Sequence, residues 1–465
     1  MLLDKLTRMK LPFLDRQAEL GRLRQALAGP NPVFIVIYGR RRCGKSTLLQ
    51  QLAREKDCLY VADQQESPLQ IHALATQVAR HRTHFDAVTY PSWEVVLRSL
   101  NQQAPPGSVL FLDEFPYLAQ SAPELPSVVQ KFLDTTPDRR FSLVVCGSSQ
   151  RMMQGLVLDA SAPLYGRAQE ILQVRPLPPG WIRDALGGDA QEAVRAFAVW
   201  GGIPRYWELA RDCGSLPTAI RNLLMDRDGP LHDEPMRLLL DDQRSAVQSV
   251  SILNLIANGC HRISEIAGRL GKPAGNLTRP LTNLIDLGLV RRELPYGENA
   301  RSTKRTLYQL DDPFLGFYYR FVHPHRSELE CGIVKLAEAN LKKGFPFHVS
   351  MVWEELARQS VPWSNLGGYS WGQAKRWWGT GASGYSLELD VVAESVDKQA
   401  VLIGEAKWSD KRDAGMIMRE LDRKIRECPL VRGRSVVKAL WLRQDQPASS
   451  GWMIQTPETT LQLMR

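Results

Sequence analysis

Cysteine is scarce and scattered in this chain: seven residues in 465, with no C-x-x-C pair and no His/Cys cluster. That spacing argues against structural zinc and points to reduced thiols in a cytoplasmic protein. No apolar run approaches the roughly 20 residues that a membrane-spanning helix needs. The basic N-terminal residues are interrupted by Asp4 and Pro12 and lead into no long apolar region, so neither a signal peptide nor a membrane span is expected. What remains is ordinary globular material, 44% hydrophobic and 23% charged. The length exceeds what a single core supports, and several domains are expected. A formal net charge of +9 leaves room for a polyanionic partner.

The most informative stretch begins at Val33. A short β-branched run to Tyr38 reads as a buried strand, and Gly39 to Ser46 matches G-x-x-x-x-G-K-[ST]. From Lys45 onward the residues have helical character. Strand, glycine-bounded loop and helix in that order form a phosphate cradle. Two glycines let the backbone approach closely, and the loop N–H groups converge with the helix N-terminus on anionic oxygens. Gly39, Arg40, Arg41, Arg42, Cys43, Gly44, Lys45, Ser46 and Thr47 are therefore expected to bind ATP. Lys45 reaches the β- and γ-phosphates and the Ser46 hydroxyl ligates Mg²⁺.

Further motifs follow in order. Val109 to Leu112 is an apolar strand ending in Asp113 and Glu114, placed to hold Mg²⁺ and to polarise the attacking water. Apolar strands also end in plain acidic turns. Phe141 to Cys146 is another buried strand, and Ser148 just after it is expected either to contact the γ-phosphate or to cap the next helix. Arg167, in Leu164-Tyr165-Gly166-Arg167, is a candidate arginine finger toward a neighbouring copy. Strands alternating with helices imply a parallel sheet with the nucleotide at its carboxyl edge.

F-x-x-R-x-x-E-L from Phe13, G-R-R-R-x-G-K-S-T, F-L-D-E-F, C-G-S-S and L-Y-G-R together resemble the archaeal-type P-loop ATPases on the AAA+/STAND side of the fold. Trp200-Gly201-Gly202-Ile203-Pro204 resembles the G-G-x-P element of that group's helical lid, which implies a sensor of nucleotide state. Cys43 stands where valine is usual, a neutral change because the loop offers its backbone there.

Pro176 to Gly180 is a rigid break, after which helical patterns dominate. From Ile252 the pattern is that of a winged helix: Glu265–Leu270, Ala274–Leu287, then a hairpin from Val290 to Leu310. Arg279, Arg301, Lys304 and Arg305 are candidate phosphate contacts, although Pro280 interrupts the recognition helix. The aromatic stripe from Pro313 to Phe321 reads as core or domain seam.

Near the C-terminus Tyr385–Ala393 alternates as a strand carrying Asp390, and Ala400–Trp408 follows with Glu405 and Lys407 on one face. Two carboxylates on neighbouring strands with a lysine beside them suit Mg²⁺ and phosphodiester hydrolysis. An incidental salt bridge on a solvated strand is the alternative. The D-x(14)-E-x-K arrangement resembles the PD-(D/E)XK nuclease fold, which implies catalytic roles for Asp390, Glu405 and Lys407 and, on the first helix, Glu354. Asp390 and Glu405 would be its metal ligands, as Ser46 and Asp113 are in the first domain. This end also resembles the uncharacterised domain that accompanies archaeal-type ATPases.

The expected architecture is α/β. A P-loop NTPase parallel sheet (1–175) precedes an α-helical lid (176–245), a winged helix (246–312), a linker (313–345) and a C-terminal restriction-endonuclease-like domain (346–465). The expected activity is ATP hydrolysis with Mg²⁺, coupled to DNA binding and metal-dependent nucleic-acid cleavage, with a homo-oligomer among the expected states. The alternative is a nucleotide-controlled regulatory switch with a non-catalytic tail.

Overall fold

The computed structural model describes residues 11–465 except 243–245, 300–302, 304, 410–412, 432 and 448. The chain divides into two compact units, Phe13–Leu177 and Pro178–Arg465, the break falling inside the proline-rich segment.

In the first unit, α1 (Gln17–Leu27) precedes β1 (Phe34–Tyr38) and α2 (Lys45–Leu52). Then come β2 (Cys58–Val61), α3 (Ser67–Ala79), α4 (Trp93–Gln103), β3 (Ser108–Asp113), α5 (Phe115–Ser121), α6 (Leu125–Thr135), β4 (Phe141–Gly147) and β5 (Glu170–Gln173). The five strands pair in parallel in the order β2-β3-β4-β1-β5. Strands β1, β3 and β4 are almost wholly buried, as expected when helices cover both faces of a parallel sheet. Alternate residues Phe34, Val36, Leu110, Leu112, Leu143 and Val145 share one core with Leu74, Trp93, Leu97 and Val129. Helices α4 and α6 escaped the reading of the sequence. Ser92 caps α4 by accepting from the Val95 N–H, and Trp93, Val96, Leu97 and Leu100 recur on its buried face.

The second unit opens with helices. α7 (Ala190–Trp200) ends at Gly201, whose φ is 57°, and α8 (Pro204–Arg211) restarts at Pro204. α9 (Glu234–Asp242) and α10 (Ala246–Ala257) follow, then α11 (Ile263–Leu270) and α12 (Gly275–Asp286). Strands β6 (Val290–Glu293) and β7 (Leu307–Leu310) pair antiparallel. Residues 313–345 are not the open linker expected. They fold into short helical turns that bury Phe314, Phe317, Tyr318, Tyr319 and Phe321, and they run into the long helix α13 (Lys335–Ser360). Of the two readings of the aromatic spacing, core or seam, the burial of these side chains fits core.

The last sheet is mixed, in the order β12-β11-β10-β9-β8: β8 (Lys375–Thr380), β9 (Ser386–Glu394) and β10 (Ala400–Lys407) are antiparallel. β11 (Ser435–Leu442) and β12 (Trp452–Gln455) continue it in parallel. Helix α14 (Ala414–Glu427) packs Ile417, Met418 and Leu421 against a core containing Leu440 and Leu442. Trp441 points to the opposite face, where it donates to Ser360 and its carbonyl accepts from Trp353 of α13. Helix α15 (Pro457–Gln462) returns to the start of the unit, with Arg183 on Glu458 at 2.6 Å.

Glu355 of α13 binds this unit together. It accepts from Arg291 of β6 at 2.8 Å and from Arg358 at 3.0 Å. Against the cost of burial, these two cations hold its carboxyl down to about 2.

Two outcomes follow from these arrangements. A Cβ on Gly39 would lie 2.2 Å from the Val174 carbonyl oxygen, and Gly39 has φ 150°. Gly39→Ala should cost about 1–3 kcal/mol, visible as a lower unfolding midpoint; an unchanged midpoint would show the loop can give way. Glu355→Gln should cost about 3 kcal/mol at pH 7. With the folded pKa below the unfolded value near 4.5, that contribution is complete above pH 4.5 and fades as pH falls toward 2. Denaturant titrations of both proteins from pH 7 to pH 3 test this, and a constant gap would contradict it.

Candidate functional site

Because β4 lies between β1 and β3, the loops leaving all three meet at one edge of the sheet. Gly44 takes a left-handed conformation (φ 89°) and starts α2, so Lys45 and Ser46 open the helix. The Lys45 ammonium is buried and donates to the carbonyls of Gly39 and Arg40 at 2.9 and 3.1 Å. The Ser46 hydroxyl lies 2.5 Å from a carboxylate oxygen of Asp113, the last residue of β3. Asp113 is 1% exposed, and its other oxygen accepts from the Glu114 N–H.

Glu114 itself is left-handed (φ 55°), an unusual and mildly strained state for a side-chain-bearing residue. The turn aims its carboxylate at the end of β4, where it accepts from the backbone N–H and the hydroxyl of Ser148 at 3.1 and 2.8 Å. Ser149, not Ser148, caps the next helix by accepting from the Met152 N–H. Two hard oxygens in contact, from Ser46 and Asp113, beside a buried ammonium form a donor set that fits magnesium and a polyphosphate. Burial raises the Cys43 thiol, so that side chain is an inert filler beneath the loop.

Arg16 belongs to this site although only its motif, and not a role, was legible in the sequence. Its guanidinium donates to the Cys43 carbonyl at 3.4 Å, to Glu19 at 2.8 Å and to the Arg175 carbonyl. It thereby fixes the phosphate loop to the entry of α1 and the exit of β5. Arg167 lies apart from these groups. It is held by Asp134 of α6 through a forked pair at 2.9–3.2 Å.

In the second unit, Asp390 on β9 and Glu405 and Lys407 on β10 do converge. Lys407 donates to Asp390 at 2.7 Å and to Glu405 at 2.5 Å, and the Ala406 N–H donates to the same Asp390 oxygen at 3.1 Å. Lys424 of α14 takes the other Glu405 oxygen at 2.5 Å. Against the cost of burial, Lys407 and its hydrogen bonds hold Asp390 down to about 2. Burial and the Asp390 charge push Glu354 and Glu405 up to about 7, with Lys407 opposing both.

Glu354 thus feels the pair electrostatically. Among the described residues, however, no three acidic, histidine or cysteine side chains are grouped as a metal would require. The two carboxylates are instead bridged by the Lys407 ammonium. Of the expected nucleic-acid contacts, Arg279 is exposed on α12, whereas Arg305 pairs with Glu298 and donates to the Trp378 carbonyl. Arg301 and Lys304 lie outside the described residues.

Comparison with known proteins agrees with this geometry. Residues 13–209 match the family model described as an ATPase domain predominantly from Archaea. Residues 318–417 match one described as archaeal and bacterial proteins of unknown function. An uncharacterised protein of Methanocaldococcus jannaschii is 29% identical over 424 residues, covering 89% of this chain and 91% of its own length. A solved Walker-type ATPase of Pyrococcus abyssi is similar in fold. Its TM-score is 0.52 at 22% identity, over 69% of this chain and all of that one. Among the described residues no helix is long and apolar enough to cross a membrane. Residues 13–209 are therefore similar to an ATPase domain found predominantly in Archaea, on the fold of a Walker-type ATPase, and residues 318–417 are similar to a domain of unknown function.

Proposed function

We propose that ATP hydrolysis in the first unit is coupled to phosphodiester binding and Mg²⁺-dependent cleavage of DNA by the second. The observation that carries the nucleotide half is the Ser46–Asp113 contact beneath the phosphate loop. In this reading Lys45 leaves the loop carbonyls for the β- and γ-phosphates, and Ser46 and Asp113 hold Mg²⁺. Glu114 orients the attacking water once Ser148 releases its carboxylate. Arg167, freed from its exposed pairing with Asp134, would serve a neighbouring copy in a homo-oligomer.

The observation behind the cleavage half is the convergence of Asp390, Glu405 and Lys407 on adjacent strands, with Glu354 within reach of the Asp390 charge. A magnesium ion held by Asp390 and Glu405 would activate a water and neutralise the scissile phosphate. Lys407, displaced from its bridging position, would then stabilise the charge that develops. The helices α10 to α12 with the β6–β7 hairpin are consistent with a winged helix, and exposed Arg279 offers a phosphate contact. A specific observation favours the regulatory alternative: both Glu405 oxygens and one of Asp390 are already taken by lysines. In that version the tail binds a partner and cuts nothing.

Lys45→Ala should abolish ATP binding in an equilibrium titration. Glu114→Gln should retain binding and lose at least about a hundredfold in turnover, and normal turnover would reassign the base. For the tail, supercoiled plasmid incubated with Mg²⁺ should be nicked by the native chain and left intact by Asp390→Asn and Lys407→Ala. Equal nicking by all three, or none by the native chain, would leave only the regulatory version.

A further inference from the structure

A half-open cavity of about 130 Å³ in the second unit is lined by α7, α10, β7 and α13. It takes no part in either site above. Phe197, Ile256, Met351 and Leu356 give it an apolar wall. Two polar groups on that wall are not explained by the packing.

The first is Arg320. Its guanidinium donates to the Ala257 carbonyl at 2.9 Å and to the Met351 sulfur at 3.3 Å, and lies over the Phe347 ring at 5.7 Å. Among the described residues no carboxylate pairs with it, and burial alone pushes its pKa down. Guanidinium remains charged at neutral pH regardless. A largely buried cation without a counter-ion is expensive, and an arriving anion relieves that cost.

The second is His348 of α13. Its Nε2–H donates to the Ala198 carbonyl at 2.7 Å, which leaves Nδ1 as a lone-pair acceptor with no partner among the described residues. Burial, with Arg320 adding to it, holds this imidazole neutral by lowering it to about 4. Gly316 faces the ring, where a Cβ would meet His348 at 3.6 Å, so a larger side chain there would fill the space beside it. Elsewhere on the wall, Arg291 is already satisfied by Asp311 and Glu355.

We infer that this cavity binds a small organic monocarboxylate with an apolar body and one hydrogen-bond donor. The carboxylate sits on the Arg320 fork, the hydroxyl or N–H donates to His348 Nδ1, and the body lies on the apolar wall. A single unpaired cation, with Asp311, Asp312 and Glu355 on the remaining wall, favours one negative charge over a phosphate dianion. This site is independent of the nucleotide and cleavage readings.

Calorimetric titration of the full chain tests it with hexanoate, benzoate, 2-hydroxyhexanoate and 4-hydroxybenzoate, each beside its uncharged carboxamide. A hydroxylated acid should bind at least about tenfold more tightly than its amide. Arg320→Gln should erase that preference while the amide binds as before. Gly316→Leu, which projects into the space beside His348, should remove both. Unfolding profiles check that each variant is folded, and Arg320→Gln decides alone if Gly316→Leu is not. Binding by none of the acids overturns the proposal, as does a preference that survives Arg320→Gln or binding that survives a folded Gly316→Leu.

Discussion

Two oxygens 67 positions apart in sequence, on Ser46 and Asp113, are brought to 2.5 Å by the order of the sheet. One begins the helix after β1 and the other ends β3, and β4 between them contributes Ser148. Every chemical group of the nucleotide site is thereby hung from the carboxyl edge of buried, parallel strands. Such strands are the least deformable part of an α/β unit, because both faces are packed. The left-handed turn at Glu114 is tolerated in that setting, since its carboxylate is secured by two hydrogen bonds from Ser148.

The phosphate loop, its strand and the acidic pair were readable because each rests on local signals: a glycine that must take positive φ, a lysine, an apolar run of strand length. The role of Arg16 was not, since its partners are backbone carbonyls of Cys43 and Arg175, which no side-chain pattern announces. Helix α4 was missed although Ser92 and the Trp93, Val96, Leu97, Leu100 spacing signal it. Its mean polarity obscured the stripe. Residues 313–345 failed for another reason. The aromatic stripe at its start was legible as core or seam, but the segment as a whole was treated as a connection, whereas its aromatic side chains need each other and α13 to be buried.

On β9 and β10 the i, i+2 periodicity placed Glu405 and Lys407 on one face, and antiparallel pairing brought Asp390 beside them. What periodicity could not supply was the charge balance. Lys424 comes from α14, and with Lys407 it offsets Asp390 and Glu405. A buried carboxylate pair of this kind persists only when opposite charge is close by, so the identity of the cation at its centre is the variable on which its chemistry turns.

Glu354 and Glu355 are consecutive on α13 yet face different company: the first the Asp390 cluster, the second Arg291 and Arg358. Successive helical residues diverge by roughly 100° around the axis. Any rolling of α13 that brought one acid deeper among its neighbours would drag the other out of its own. The helix is therefore keyed in rotation by two separate sets of charges.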